Sequence, residues 1–416
     1  FTDWKYEGHE YWHQFGGVGM TIDAKPFYQH WLKHKFNGGT SHYTDFSPAV
    51  AMAKAGKFYI QPENSHSILS NSEYAYHFDA GEVVTFLTHY SIERGVKHVR
   101  DKVVEVKKSN DGSITGVLLD NSGLLAGDFF IDCTGQRALL IGDAMGVGYE
   151  DWSQYLPVDR AVTVLSELPD NIPPYTHSIA RPHGWQWCIP LQDRVGNGYV
   201  YSSADLDDND AESLLMNNIV GGAINKPRVL RFKTGKRDKF WDKNCLAIGL
   251  SSGFLEPLES TSIHLIMKGA LNFLDMFPSR SISETTIKEY NRLMDSEYQC
   301  IRDFIIIHYS LSDRKDTPFW RKMSEMVLPE SLQNKLDLFL SQGRLQQNDL
   351  DLFSSTSWYA VLEGMDIQPQ EYDPLIDLSD FQKVKEVFSS YSQSVTALIE
   401  KLPTHAEYIN KVKNIS

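Results

Sequence analysis

Asn244 to Leu265 reads NCLAIGLSSGFLEPLESTSIHL, a short apolar run followed by glycines and serines and then by a helical pattern. The apolar run Cys245 to Ile248 has the length of a buried strand and is too short for a helix. The glycines and serines after it allow a sharp turn. A proline followed by Ser and Thr indicates that a helix begins near Ile263. The sequence therefore predicts a strand–loop–helix junction.

The carboxylate of Glu259 lies at this junction, immediately before the predicted helix. The first N–H groups of a helix have no partner within it and carry a partial positive charge. Such a place can hold an anion next to a charged catalytic group. A plainer interpretation is a capped helix in which Glu259 only interacts favourably with the helix dipole. A second motif is needed to choose between them.

Gly184 to Pro190 reads GWQWCIP and supplies that second motif. It matches GWxWxIP, the signature of flavin-dependent halogenases. Phe254 to Thr261, FLEPLEST, matches the segment in which that family carries its catalytic glutamate. Two independent motifs in the expected order make the resemblance specific. The chain is identified as a member of that family and is similar to tryptophan and indole halogenases from Phe1 to about Trp320, and more loosely to its last residue.

The resemblance implies an α/β fold of mixed α+β character, with an FAD-binding core of the glutathione-reductase (Rossmann) type that flavin monooxygenases share. Residues 1–280 are predicted to form this core together with an interleaved substrate-binding sheet. Residues 281–416 are predicted to form a mostly helical region that covers the substrate. The local patterns predict the following elements: a helix after Pro26, a helix from Glu82 to Arg94, strands at Val96 to Lys107, Ile114 to Leu119 and Asp128 to Cys133, and a long helix from Glu284 to Tyr309.

The resemblance implies FAD as the cofactor, used in its reduced form, and a halide ion as the second reactant. Asp132 to Gly135, DCTG, resembles the second flavin-contacting turn of FAD monooxygenases. The segment around Gly249 corresponds to the third such contact, where glycine allows the backbone to approach a ligand closely. The predicted cofactor-binding residues are Thr134, Gly135, Gly249, Gly253 and Pro257.

The chemistry implied by the resemblance is halogenation of an electron-rich aromatic substrate. Reduced FAD reacts with O₂ to give a flavin hydroperoxide, chloride or bromide attacks it, and the resulting hypohalous acid halogenates the ring. Glu259 is the predicted catalytic residue, because a carboxylate can stabilise the cationic ring and accept its proton. Ser260 is expected to support it. Thr261 and Ser262 are expected to bind halide through backbone N–H groups, although Ser262 replaces the usual glycine and leaves the halide preference open.

Five aromatic residues are predicted to contact the substrate: His13, Phe15, Trp185, Trp187 and Phe353. Alternate side chains of a strand point to the same face, so both tryptophan rings are expected on one face. A core of aromatic residues is an equally simple interpretation for each residue alone. In the family such a wall keeps the arene away from the flavin, and aromatic planes suit a flat ring at about 0.5–1.5 kcal/mol per pair.

The segment Leu340 to Leu352, LSQGRLQQNDLDL, bears on the substrate. Halogenases of free tryptophan carry here a loop rich in Tyr and Glu that holds the amino-acid end, whereas this segment is shorter and has no tyrosine. The sequence therefore favours indole, a phenol or an indole derivative over free tryptophan. A flavin-dependent aromatic monooxygenase and a catalytically silent flavoprotein are the alternatives, and GWxWxIP together with Glu259 favours the halogenase.

The family's GxGxxG loop and catalytic lysine lie before the position that matches Phe1. Lys5 does not align with that lysine. A protein that began at Phe1 is therefore expected neither to bind FAD nor to halogenate. The resemblance also implies a separate flavin reductase as partner.

The composition of the chain argues against nucleic-acid binding and against a membrane-spanning segment. A net charge of −14 argues against a nucleic-acid binder, and no apolar run approaches the roughly 20 residues of a membrane span. The four cysteines lie far apart, so we expect buried thiols, no disulfide and no metal site, in a cytoplasmic protein that can form a homo-oligomer.

Overall fold

The computed structural model describes residues 1–62, 67–279, 281–346 and 351–413. They form two compact units, neither of which is a continuous stretch of sequence. The first unit comprises Phe1–His77, Ala161–Leu230 and Asp303–Ser416, and the second comprises Phe78–Arg160 and Arg231–Arg302. The predicted division into a core of residues 1–280 and a mostly helical region of residues 281–416 stays a prediction.

The chain contains both helices and strands. The helices are α1 (Phe27–Phe36), α2 (Pro48–Lys54), α3 (Ala80–Glu93), α4 (Asp208–Met216), α5 (Ser262–Asp275), α6 (Glu284–Ser310), α7 (Pro318–Ser324), α8 (Glu330–Gln342), α9 (Ser355–Gly364), α10 (Phe381–Ile399) and α11 (His405–Lys413). The strands are β1 (Val103–Lys108), β2 (Ile114–Leu119), β3 (Gly123–Ala126), β4 (Phe130–Asp132), β5 (Tyr149–Asp151), β6 (Arg160–Ser166), β7 (His177–Arg181), β8 (Gly184–Pro190), β9 (Val195–Tyr201), β10 (Arg228–Arg231), β11 (Gly235–Arg237), β12 (Trp241–Asp242), β13 (Cys245–Ala247) and β14 (Gly253–Phe254). Short 3₁₀ turns occur at Tyr43–Phe46, Ile68–Asn71, Gly135–Arg137, Gly249–Ser251, Pro257–Glu259 and Pro374–Leu378, and a π-helical turn at Leu139–Ala144.

The second unit contains the predicted strand–loop–helix junction. Its strand β13 pairs in parallel with β4, with Ala247 opposite Asp132, and β12 completes this sheet. Cys245 and Ala247 are buried in a cluster with apolar side chains of β2, among them Ile114 and Val117. The antiparallel sheet β1-β2-β3 supplies that second layer. The apolar run thus forms a strand because both of its faces are covered.

The first unit contains a five-stranded sheet in the order β10-β6-β9-β8-β7. The GWQWCIP motif forms β8, and it pairs antiparallel with β9 so that Trp187 lies opposite Gly198. A Cβ atom at Gly198 would come within 2.0 Å of the Trp187 ring. Glycine at this position therefore leaves the space in which the indole ring lies across the neighbouring strand.

The predicted long helix is confirmed as α6, and residues after it also form helices. Two local predictions were wrong. The strand predicted from Val96 begins only at Val103, and the strand predicted from Asp128 to Cys133 spans three residues, with Ile131 45% exposed. The apolar residues around Ile131 predict a strand that is buried on both faces. In the structure, other residues cover only one face of β4.

The four cysteines are free, as expected, but only Cys245 is buried. Cys133 is exposed because it lies just beyond the end of β4, where the chain turns. In the part of the chain that the structure describes, no helix is long and apolar enough to cross a membrane.

Replacing Gly198 by Ala is expected to lower the free energy of unfolding by about 1–3 kcal/mol, because the added methyl group overlaps the Trp187 ring. Urea denaturation measures this change. Gly196→Ala in the same strand is the control, since its Cβ would meet only the Ile189 carbonyl oxygen at 3.7 Å. Equal stability losses in both variants would contradict the packing argument.

Candidate functional site

The turn that contains Glu259 consists of two successive tight bends. Pro257 begins a 3₁₀ turn that ends at Glu259, and the N–H of Ser260 donates to the Pro257 carbonyl at 3.0 Å. Ser260 then adopts the left-handed conformation, with φ 55° and ψ 35°. This conformation is uncommon for residues other than glycine and costs about 1–2 kcal/mol. These two bends place the half-buried Glu259 shortly before α5 begins at Ser262.

Thr261 occupies the N-cap position of α5, but its side chain does not act as a cap. Its carbonyl accepts the first helical hydrogen bond, from the Leu265 N–H at 3.0 Å. The side chain is 1% exposed, and its hydroxyl has no hydrogen-bond partner among the residues that the structure describes. A buried hydroxyl without a partner costs about 1–3 kcal/mol. Together with the free N–H groups of a helix start, it is suited to an anion.

Two carboxylates lie within four residues of each other in this segment. Glu256 is completely buried, whereas Glu259 and Ser262 are partly exposed. Sequence analysis overlooked Glu256. The signal that could have identified it is its place between Leu255 and Leu258, which are both buried.

Asp132 organises the turn that was predicted to contact the cofactor. Its Oδ1 accepts hydrogen bonds from the Thr134 N–H at 2.9 Å and the Thr134 hydroxyl at 2.7 Å. Its Oδ2 accepts from the N–H groups of Leu140 and Ile141, both at 2.9 Å. The Thr134 hydroxyl in turn accepts from the Leu139 N–H at 2.8 Å. One buried carboxylate thus fixes the loop around Thr134 and the start of the π-helical turn.

The backbone of Asp132 joins this loop to the one after β13. Its carbonyl accepts the Ile248 N–H at 3.0 Å and the hydroxyl of Ser251. The structure therefore brings together the two segments that sequence analysis assigned to the cofactor, Thr134–Gly135 and the turn at Gly249. They follow neighbouring parallel strands, β4 and β13, at the same edge of the sheet, which is where open α/β sheets bind ligands.

The three predicted glycines differ in what surrounds them. Gly135 and Gly249 both have φ of +74°, and a Cβ atom at Gly135 would meet no atom within 4 Å. That open space fits the close approach of a cofactor. A Cβ atom at Gly253 would lie 2.7 Å from the Gly235 carbonyl oxygen and 2.8 Å from the Tyr298 ring. The packing of β14 against its own neighbours therefore already requires Gly253.

A buried cation lies beside Gly253, opposite it in β11. The Lys236 ammonium is 2.8 Å from Glu150 and 2.7 Å from Asp295. Burial by itself lowers the pKa of Lys236, but hydrogen bonds to these two carboxylates outweigh burial and raise the pKa above its usual range. The lysine therefore stays charged, and its charge is balanced by carboxylates.

Two of the predicted substrate residues lie in β8 of the first unit. The ring centroids of Trp185 and Trp187 are 5.9 Å apart, a distance that fits the expectation of both rings on one face of the strand. Trp185 is 1% exposed, packs near Trp4, and has an indole N–H without a partner in the described part of the chain.

The other predicted substrate residues do not all lie together. The His13 and Phe353 rings are neighbours, with centroids 5.9 Å apart. Phe15 is 59% exposed and projects towards solvent in this unit. Lys5 is paired within the same unit, 3.1 Å from Asp313. Of the segment Leu340 to Leu352, residues 347–350 lie outside the described residues.

Comparison with known proteins identifies the family. The family model described as tryptophan halogenase matches residues 1–380. The chain belongs to the tryptophan halogenase family. It is 31% identical to tryptophan 6-halogenase SttH of Streptomyces toxytricini, over 98% of this chain and 83% of that protein. Among solved structures it is similar to BrvH, a flavin-dependent halogenase from Brevundimonas sp. BAL3, with a TM-score of 0.95 and 37% identity over 99% of this chain and 84% of that one. It is also similar to Xcc4156, a flavin-dependent halogenase from Xanthomonas campestris, with a TM-score of 0.94 and 39% identity over 99% and 82% of the two chains.

These comparisons confirm the predicted fold class and enzyme class. The chain is a flavin-dependent halogenase, an oxidoreductase whose family halogenates aromatic substrates with FAD and a halide on a Rossmann-like FAD-binding core.

Replacing Asp132 by Asn in the halogenase is expected to lower the free energy of unfolding by about 2–4 kcal/mol and to weaken FAD binding, because an amide NH₂ group would face N–H donors. Urea denaturation and flavin-fluorescence titration measure the two effects. Asp128→Asn, an exposed position in the segment before β4, is the control. Unchanged stability of Asp132→Asn would show that these hydrogen bonds do not hold the two loops.

Proposed function

We propose that this halogenase acts on an electron-rich arene that lacks a tightly held amino-acid end, such as indole, a phenol or an indole derivative. Support comes from the segment 340–352, which has no tyrosine to clamp an amino acid. Phe353 also takes the place where a tryptophan commonly stacks on the substrate. Free tryptophan, the substrate in the name of SttH, is the second candidate, favoured by 31% identity over nearly the whole chain.

The observation that carries the assignment of the reacting site is the buried, unpartnered hydroxyl of Thr261 at the start of α5. Thr261 and Ser262 bind the halide, because the first N–H groups of α5 have no partner within the helix and are suited to an anion. A halide there would give the Thr261 hydroxyl the acceptor that the described residues do not provide. The left-handed turn at Ser260 directs the chain so that Glu259 precedes this anion site.

Glu259 is the catalytic carboxylate. Electrophilic attack on an arene produces a cationic ring, and a half-buried carboxylate stabilises that charge more strongly than one in water. The same oxygen can accept the ring proton when aromaticity is restored. Ser260 is a support residue whose strained backbone sets the direction of Glu259.

The residues that hold FAD are Thr134, Gly135, Gly249, Gly253 and Pro257. A Cβ atom at Gly135 would meet open space, and the hydrogen bonds of Asp132 hold the loop around Thr134 at the end of parallel strands, so this loop fits a nucleotide cofactor. Gly253 has no such open space, because Gly235 and Tyr298 fill it. When bound in its reduced form, FAD supplies the two electrons that turn molecular oxygen into the oxidant for halide.

The aromatic surface for the arene consists of His13, Phe15, Trp185, Trp187 and Phe353. The neighbouring rings of His13 and Phe353 offer apolar planes that pack against a flat substrate. Trp185 is buried and supports Trp187 from within the core, and Phe15 is the exposed member of the set. We also propose that residues 1–280 carry the cofactor and substrate core and that residues 281–416 cover the substrate. A separate flavin reductase supplies reduced flavin. A cytoplasmic location and a homo-oligomer remain predictions.

Replacing Glu259 by Gln is expected to reduce halogenation at least about 100-fold, because a neutral amide neither stabilises the cationic ring nor accepts its proton. The assay contains the native-length protein, FAD, a flavin reductase, NADH, O₂, indole and chloride or bromide, and mass spectrometry detects the halogen isotope pattern. Glu284→Gln, a surface position paired with Lys288, is the control. A hydroxylated product, or full activity of Glu259→Gln, would reject the proposal.

Replacing Ser262 by Gly is expected to raise the use of bromide relative to chloride by roughly 2- to 10-fold, because removing the side chain at the first residue of α5 leaves more room for the larger anion. A competition assay with both halides measures the product ratio. Ser283→Gly, before α6 in the same unit, is the control. A lower bromide share in Ser262→Gly would mean that the Ser262 hydroxyl contacts the larger halide instead of restricting it.

A further inference from the structure

Phe304, in α6, contacts both rings at the centre of the proposed substrate surface in the first unit. Its ring stacks on Phe353, with centroids 3.8 Å apart and planes 15° apart. It also contacts the His13 ring at 5.3 Å with the planes inclined by 55°. Phe304 itself is completely buried, so it has no surface of its own to offer to a substrate. It lies directly behind the two rings.

Phe304 is held by aromatic edges on its other sides. Trp358 lies 5.1 Å from it at 76°, and His308 lies 5.4 Å from it at 83°. His308 is fixed in turn by a 2.5 Å hydrogen bond between its Nδ1 and the Tyr11 hydroxyl. Edge-to-face pairs of this kind are favourable and directional. The orientation of the Phe304 ring is therefore fixed by neighbours on several sides.

The spacing of His13 and Phe353 shows how they can meet an arene. Their centroids are 5.9 Å apart and their planes are inclined by 51°. A flat substrate that stacks between two parallel rings requires the centroids of those rings to be roughly 7 Å apart, which is twice the distance of one stacked pair. The two rings are thus adjoining walls of a corner and do not form a sandwich. The angle of this corner decides how a flat arene can lie against the two rings.

We propose that Phe304 is a positioning residue that fixes the angle between His13 and Phe353 and so selects the ring carbon that is halogenated. The inference rests on the proposed substrate role of those two residues. Sequence analysis gave no reason to select Phe304, because it lies in the apolar run DFIIIHY of a long helix, where a core role is the ordinary expectation.

The test compares Phe304→Leu with Phe339→Leu in the native-length halogenase. Phe339 is also completely buried in the first unit, but it packs near Tyr28 and Tyr359 and away from the proposed surface. Both variants lose an aromatic ring from the core. Phe304→Leu is expected to raise the KM for indole roughly 3- to 10-fold and to change the ratio of halogenated isomers, with a smaller change in kcat. Phe339→Leu is expected to keep the KM and the isomer ratio of the parent.

Equilibrium titration with indole, followed by protein fluorescence, gives a measure that needs no turnover. Phe304→Met places a flexible, polarizable side chain that adapts to an irregular space, and it replaces Phe304→Leu if that variant does not fold. An unchanged KM, indole affinity and isomer ratio in the folded Phe304 variant would overturn the inference.

Two further variants separate this inference from the proposed function. His13→Leu and Phe353→Leu are expected to weaken indole binding by themselves. If they do so and the Phe304 variant does not, Phe304 is only a core residue and the proposed substrate surface stands. If none of the three changes indole binding, the surface itself is wrongly assigned.

The double variant Phe304→Leu/Phe353→Leu is expected to raise KM by less than the product of the single effects, because the two rings act as one stacked pair.

Discussion

The carboxylate of Asp132 accepts four hydrogen bonds at the end of β4, and the second unit is organised around this interaction. A buried carboxylate is costly unless its oxygens are satisfied, and N–H and O–H donors satisfy them without a counter-ion. Because two of the donors belong to Leu140 and Ile141, this side chain also closes the loop that follows Gly135. Its own carbonyl then holds the turn after β13. The loops assigned to the cofactor thus depend on one side chain that does not itself need to contact the cofactor.

The junction before α5 has the opposite character, because it leaves groups unsatisfied. Ser260 has a left-handed backbone, and the Thr261 hydroxyl is buried without a partner in the described structure. Strain and unsatisfied groups persist only when the surrounding structure imposes them, and they are concentrated at functional sites. Here the neighbouring residues Leu258 and Leu265 are buried and anchor both sides of the turn. The strained backbone and the unpartnered hydroxyl lower the stability of the junction, and the same hydroxyl is available to bind an anion.

Aromatic packing has two roles in the first unit. Trp4, Tyr309 and Trp320 are completely buried and contact one another, so they stabilise the core through apolar area. His13 and Phe353 continue the same packing towards the proposed substrate surface, with Phe304 between core and surface. A substrate surface that extends a rigid core loses little conformational freedom when an arene binds. This is a physical reason for packing His13 and Phe353, which lie in loops, against the buried helix residue Phe304.

The sequence by itself determined the family, the fold class, the strand β13, the helices α5 and α6, and the place of Trp185 and Trp187 in one strand, because these depend on local periodicity or on short sequence motifs. It could not give the ends of β1 and β4 or the burial of the cysteines, since these depend on which face another layer covers. Only the tertiary structure showed that Gly253 is required by Gly235 and Tyr298, that Phe15 is exposed, and that Phe304 joins His13 to Phe353. Those facts arise from residues that are distant in the sequence, and no local pattern records which distant side chains will meet.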